Sequence, residues 1–483
     1  MQAREYDCYA ALGLQENPFK IHALGANEVG KRLLVGRDAQ VKLVAQRLHK
    51  HGKITCLDGH VGVGKTSLVN VATYECFQAF LRGETTQLLV PLGEAFQLGK
   101  DDNVNDFCDR VFKKVANGLL AHREQLKSYN YPGSNFDHVN AWLNSPIIEQ
   151  INNSFGGSVG FGLPSIAKLS MNGSTSTTKQ ANTGSGFSQE GFEQLVRKWL
   201  NEIFSVQGNG GVVCVIDNLE LLESGAVARR TLEGLRDKLF NVNGLRWVFC
   251  GANGVVHSLA ASPRLSSFLN TPIIDVQNIT QSYIEPLIKS RLKEFAMDES
   301  NMESCLPIRL KDLTKLYIII NSNLRDLLSQ GDEYCEHLFN IGKLQLTEEQ
   351  KETRFNEWLL KATKESYRNL STRIPSDTWL VLDIAMSDIY KGTFGIGDFD
   401  SISSNSKVQI VQSTFEKWLR LLVKLGILSK SIDDSTSDDE FNRDVYRVTA
   451  KGSLVHYARF FANETKTTVT YNWLKSIHYQ KYS

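Results

Sequence analysis

Apolar and polar positions along the chain change period several times, and each change marks an element. After Gly36 and Arg37, apolar residues recur at helical spacing through DAQVKLVAQRLHKH, ahead of a short β-rich run, KITCLDG, that stops at Gly59. The next stretch, TSLVNVATYECFQAFLRG, reads as a helix closed by Gly83. QLLVPLG predicts a second strand, and DNVNDFCDRVFKKVANGLLAHREQL a helix behind an Asp or Asn cap. Further on, FEQLVRKWLNEIF has helical periodicity, whereas GVVCVID and LRWVFCGAN are continuous apolar runs of the kind buried on both faces of a parallel sheet. Beyond Gln281 the pattern is helical in SYIEPLIKSRLKEFA, LKDLTKLYIIINSNLRDLLSQGDEYCEHLF and EEQKETRFNEWLLKATKESYRNL. Two more helices, DTWLVLDIAM and VQIVQSTFEKWLRLLVKLG, precede short strands ILSKSI and VYRVTAKG around an acidic turn, which predicts a winged helix.

These patterns divide the chain into an α/β core over residues 1–277, a helical lid over 278–345, a helical linker over 346–371 and a winged-helix domain with its tail over 372–483. Residues 152–190 interrupt the core with a Gly-, Ser-, Thr- and Asn-rich stretch and are read as an inserted surface loop. At 483 residues the chain is long enough for such a division, and its 42% hydrophobic and 22% charged residues are those of an ordinary globular protein. Fifty-four basic against 53 acidic residues leave a net charge of +1, so any nucleic-acid surface has to be local. The eight cysteines follow no metal-ligand spacing, and Cys56, Cys214 and Cys250 sit in apolar runs, so all are read as reduced core residues. No run approaches the roughly 20 apolar residues of a membrane helix, and no basic segment leads into an apolar one at the N-terminus. The expectation is a cytoplasmic chain with no membrane partner.

The sharpest chemical signal is Gly59-His60-Val61-Gly62-Val63-Gly64-Lys65-Thr66, a complete G-x-x-x-x-G-K-[ST] motif placed between a strand and a helix. Glycines let backbone amides converge on phosphate oxygens, and the helix that starts at Lys65, Thr66 and Ser67 adds its positive end. Lys65 is expected to neutralise the β- and γ-phosphates, and Thr66 to offer its hydroxyl to Mg²⁺. Asp217, last residue of a buried strand, is the matching carboxylate for that ion. A glutamate able to polarise water does not follow it directly: Asn218 does, and the nearest acid is Glu220. Turnover is therefore expected to be slow, with Glu220 as the base available.

The order of these motifs resembles that of AAA+ ATPases of the origin-recognition and initiator clade, and of the related STAND signalling ATPases, over roughly residues 15–340. The resemblance implies ATP and Mg²⁺ as ligands and places Val35, within LLVGR, beside the adenine. It implies that Asn253, in FCGANG, senses the γ-phosphate. Arg264, in SPRL, resembles an arginine finger that acts on a neighbouring subunit, and Arg325, in NLRDLL, resembles the lid arginine that touches nucleotide in its own chain. A homo-oligomer, or assembly with a related AAA+ subunit, follows from that reading of Arg264.

Family members of this kind often end in a winged helix that grips double-stranded DNA. Lys407, Lys417, Arg420, Lys424 and Lys430 against Glu416 suit phosphate contacts, whereas the acidic stretch from Asp433 to Glu440 would repel them. Three functions are compatible with the sequence: a DNA-associated ATP switch, a STAND-type switch whose C-terminal domain senses a protein, and a transposition or replication regulator.

Overall fold

In the computed structural model the described residues are 6–99, 102–128, 189–206, 210–222, 225–298, 305–387, 389–405, 410–433 and 443–461. The core is a six-stranded parallel sheet of β1 (Ile54–Asp58), β2 (Leu89–Pro91), β3 (Phe96–Gln97), β4 (Gly211–Asp217), β5 (Leu245–Gly251) and β6 (Leu269–Asp275). Its order is β2-β4-β5-β1-β6, with β3 continuing along β4 beyond β2. The two most apolar runs became the two central strands because each buries both faces. In β4, Val212, Cys214 and Ile216 enter one hydrophobic core and Val213 and Val215 the other. Helices α1 (Asp38–Leu48) and α2 (Lys65–Leu81) cover the second core, where Val44, Leu48, Leu68 and Val69 pack. The first core is closed by α3 (Val104–Ala121), α4 (Gln189–Val206) and α5 (Gly225–Leu235), which contribute Phe112, Trp199 and Leu232.

A lid follows, made of α6 (Ile284–Phe295), α7 (Leu310–Ile319) and α8 (Leu324–Asn340), and the long linker helix α9 (Glu348–Ser371) packs on it. The helical run read over Leu310–Phe339 is broken: Asn321 and Ser322 both adopt left-handed backbone, at φ 56° and 58°. Asn323 then caps α8 by accepting the Asp326 amide at 3.2 Å. The N-terminal residues Cys8, Tyr9, Leu14 and Phe19 belong to the lid's core rather than to the sheet's. Linker α9 starts with a capping box between Thr347 and Gln350 and buries Phe355 against Tyr334, their rings 5.5 Å apart edge to face.

The C-terminal unit runs α10 (Trp379–Ala385), β7 (Thr393–Gly395), α11 (Phe399–Asn405), α12 (Gln412–Lys424), β8 (Leu428–Asp433), β9 (Arg443–Val448) and α13 (Ala450–Phe461). Four helices and an antiparallel sheet of order β7-β9-β8 make this a winged helix. Its third strand and α11 are absent from the sequence reading because TFG is too short to show a period and FDSISSN is mostly polar. Helix α13 lies along α9, and its Arg459 pairs with Asp383 at 2.7 Å while stacking 4.8 Å above Trp379. All eight cysteines are free thiols, all but Cys305 fully buried. No described helix is long and apolar enough to cross a membrane. Residues 152–188, Lys407, Asp434 to Glu440 and the tail beyond Phe461 lie outside the described residues, so the loop reading and the charge of the wing tip have no structural counterpart here.

Phe355 is fully buried where linker and lid meet. Phe355→Ala should cost about 3–5 kcal/mol of local stability. Hydrogen exchange should show it as lost protection in α9 and α8 with the sheet unaffected; unchanged protection in α9 would contradict the packing described.

Candidate functional site

In a parallel sheet, ligands bind at the carboxyl ends of the strands, and here β1 and β4 end at Asp58 and Asp217 with only β5 between them. The chain leaves β1 through Gly59–Gly64 and enters α2 at Lys65. Gly62 (φ 85°) and Gly64 (φ 94°) hold left-handed backbone. At Gly62 space is also decisive, since a Cβ there would stand 2.8 Å from the Cβ of Arg325 and 3.0 Å from Asn323 Oδ1. Lid and loop therefore touch only because this residue has no side chain. Lys65 is buried and curls back over the loop, its ammonium donating to the carbonyls of Gly59 at 2.8 Å and His60 at 3.0 Å. The Thr66 hydroxyl donates to Asp217 Oδ2, and the other carboxylate oxygen accepts the Asn218 amide at 2.8 Å.

One cleft gathers much of the predicted set. It is lined by Val61, Gly62, Val63, Gly64, Lys65, Thr66, Ser67, Asp217 and Arg325, together with the apolar Val35, Leu287 and Leu328. Thr66 and Asp217 bring a hydroxyl and a carboxylate to one point, a hard-oxygen pair suited to Mg²⁺, which takes its remaining ligands from water and phosphate. No group of three or more His, Cys, Asp or Glu able to hold a metal occurs among the described residues, so an ion here would depend on those additional oxygens.

Other predicted residues stand elsewhere. Gly59 and His60 are part of the loop but face its rear, where they line a separate cavity of about 240 Å³ together with Asp58, Asn253, Asp275, Gln277 and the winged-helix residues Ser429, Val445 and Arg447. Asn253, read as a γ-phosphate sensor, opens onto this rear cavity and not onto the cleft. Its left-handed backbone (φ 60°) makes the turn after β5. Glu220, read as the base, does not line the cleft either: its Oε2 accepts the Ala252 amide at 3.0 Å. The left-handed turn at Asn218 (φ 57°) carries Glu220 toward the end of β5 instead of into the cleft. Arg264 is exposed, 3.4 Å from Asp237 Oδ2, and takes no part in the cleft of its own chain.

Burial shapes the electrostatics of the rear cavity. His60 is pushed down to about 4, first by burial and then by the positive charges of Arg447 and Lys65, so it is neutral near pH 7. Burial raises Asp58 above the usual carboxylate range, although the Gly254 amide donates to its Oδ2 at 3.1 Å. Its Oδ1 has no hydrogen-bond partner among the described residues. Arg447 is lowered by burial, with Asp275 opposing that shift. The winged helix thus presents a desolvated cation to the back of the phosphate loop.

Sequence reasoning missed three contributors. Arg37 is buried and donates to the Val63 carbonyl at 3.0 Å, bracing the loop. Lys20 to Leu24 form one wall of the cleft, with the Leu24 amide donating to Ser67 Oγ at 3.0 Å and the Asn70 side-chain amide donating to the Leu24 carbonyl at 2.8 Å. Arg291, on the lid, lines the same cleft. Arg37 was legible inside LLVGR; the other two carry no local pattern.

No family model and no curated protein matches the chain. Among solved structures it is similar to the Aeropyrum pernix ORC2 protein in ADPNP-ADP complexes, at 10% identity over 94% of this chain and 100% of that one, with a TM-score of 0.45. It is also similar to the Aeropyrum pernix ORC1 protein in complex with DNA, at 14% identity over 89% and 94% with a TM-score of 0.38. A third likeness is to the Walker-type ATPase PABY2304 of Pyrococcus abyssi, at 13% identity over 92% and 99% with a TM-score of 0.39. Likenesses this loose add nothing to the strand order and loop geometry above, on which the α/β P-loop core, helical lid and winged helix stand.

Proposed function

We propose that the chain is an ATP-binding AAA+ ATPase of slow turnover that works as a nucleotide-dependent, oligomerising switch on double-stranded DNA. The observation that carries the nucleotide part is the Thr66–Asp217 contact beneath a glycine loop whose lysine is already folded over it. Lys65 would leave the Gly59 and His60 carbonyls for the β- and γ-phosphates, and Thr66 and Asp217 would hold Mg²⁺, which neutralises charge developing on the transferred phosphoryl group. Arg325, against Gly62, would report the nucleotide to the lid. Slow turnover is supported by the placement of Glu220 on the Ala252 amide and by Asn218 at the mouth of the cleft, which leave water without an adjacent base.

The switch reading is supported by what contacts the phosphate loop: the lid touches its front at Gly62, and the winged helix shares the cavity at its rear. The DNA reading is supported by α12, where Phe415, Leu419 and Leu422 face the core and Lys417, Arg420 and Lys424 form an exposed stripe at helical spacing. Glu416 offsets Arg420 only weakly, 3.4 Å away on the surface, and Lys430 is engaged with Asp444 at 2.7 Å.

Three measurements test this. Lys65→Ala should weaken ATP binding at least tenfold by calorimetry, because a charged donor to phosphate is lost; undiminished affinity would refute the cradle. Replacing Lys417, Arg420 and Lys424 with Ala should weaken DNA binding and lower its log–log salt slope by about 2–3. Wild-type protein with no salt-dependent DNA affinity would instead favour a STAND-type, protein-sensing winged helix. The ATPase rate per subunit should rise with protein concentration as subunits assemble, and Arg264→Ala should remove that rise while leaving the dilute rate unchanged. A rate that stays flat through demonstrated oligomerisation would leave Arg264 an ordinary surface residue.

A further inference from the structure

The phosphate loop is enclosed by a ring of contacts that passes through one side chain. In front, Asn323 and Arg325 stand so near that a Cβ on Gly62 would meet Asn323 Oδ1 at 3.0 Å and the Arg325 Cβ at 2.8 Å. Behind, Arg447 of β9 shares the rear cavity with His60 and opposes its protonation. The two sides meet where the Asn321 side-chain amide donates to the carbonyl of Val448, the residue after Arg447, at 3.1 Å. That bond is closely seated. The Val448 amide donates to the Gly392 carbonyl at 2.8 Å, and a Cβ on Gly392 would stand 3.2 Å from Asn321 Nδ2.

The turn that carries Asn321 is held in a form a chain rarely adopts unaided. Asn321 and Ser322 are both left-handed, at φ 56° and 58°, a conformation that a Cβ disfavours and that residues other than glycine visit singly. Such backbone persists only where its surroundings fix it, and it gathers at switch regions. Here the Ser322 side chain hydrogen-bonds the hydroxyl of the buried Tyr317, which donates to the Ile279 carbonyl at 2.7 Å, while Asn323 caps α8. Residues Asn321 to Arg325 thus run from the winged helix to the front of the phosphate loop with little slack. We infer that Asn321 is a positioning residue that couples occupancy of the phosphate loop to β9 of the winged helix. A ligand that shifts Gly62 and Arg325 moves the turn, and the Asn321 amide passes that shift to Val448. The inference rests on the cleft being a nucleotide site and goes beyond it by naming the bond through which lid and winged helix respond together.

Hydrogen exchange on the full chain, with and without saturating ATP, reads that coupling at the Val448 amide. In wild type, ATP should slow exchange at the loop amides from Gly62 to Lys65, and at Val448 by about fivefold or more, as for coupling between distinct sites. Asn321→Gly accepts left-handed backbone but has no side-chain amide to donate. ATP should then still protect the phosphate loop, while its effect at Val448 falls below about twofold. Asn321→Asp keeps the shape and tolerates the same backbone, yet sets a carboxylate oxygen against the Val448 carbonyl. It should give the same loss and serves if the Gly variant fails to fold. Ala450 of α13 packs in the lid's core, so both variants should keep the winged helix docked. Faster exchange at Val448 with and without ATP, at an unchanged ratio between the two, would reduce Asn321 to a structural prop and overturn the inference. So would a wild type that ATP protects at the loop but not at Val448. No ATP-dependent protection at the loop in wild type would refute the nucleotide site itself, a distinct failure.

Discussion

The contact between the Thr66 hydroxyl and Asp217 is the constraint around which this molecule is arranged. It joins the first turn of α2 to the end of β4, two strands away from the strand that delivers the loop. For that contact to form, β5 must lie between β4 and β1 with the strand ends level. The register meets this requirement, pairing Val215 with Val248 on one side of β5 and Thr55 with Val248 on the other. Both flanking cores serve that alignment. Strands apolar on both faces cannot slide by one residue without moving every buried side chain to the opposite core.

Everything else meets the phosphate loop from one of two sides. In front, the lid approaches so closely that Gly62 has no room for a methyl group beside Arg325. Behind, β9 of the winged helix brings Arg447 within the influence of His60 and Asp275. Along β9, Tyr446 and Val448 are buried in the domain's own core while Val445 and Arg447 turn to the α/β core. The alternation of a single strand thus makes it both a structural element and an interdomain contact. The stripe of α12 is on a different element and stays exposed. A ligand that moves the loop has to disturb both contacts or be resisted by both, which is the physical content of coupling between sites.

The rear cavity shows why polar residues at strand ends deserve more than a motif. Asp58 and Asn253 end or follow central strands, positions where function concentrates in parallel sheets, yet they line the cavity shared with the winged helix and not the cleft. Glu220 was displaced by a single backbone feature, the left-handed Asn218, which redirects the chain after β4. Side-chain type and spacing suggested that chemistry; the backbone sets Glu220 against the Ala252 amide, outside the cleft.

By itself the sequence determined what depends on local pattern. Apolar runs and helical periods specified the sheet, the lid and most of the winged helix, and the glycine–lysine motif located the tight loop between β1 and α2, because its spacing is dictated by backbone curvature. Asp217 was legible because a carboxylate ending a fully buried strand has few other places to go. Tertiary structure decided the rest. It broke the helical run at Asn321 and Ser322, where two successive left-handed residues reverse the chain. It gave β7 its partner in β9, since three residues become a strand only when a neighbour satisfies their hydrogen bonds. It assembled one wall of the cleft from Lys20, Leu24 and Arg291, which are up to 271 residues apart and share no local signature. Contacts between such distant segments are set by how the lid docks on the sheet, and no period along the chain encodes that docking.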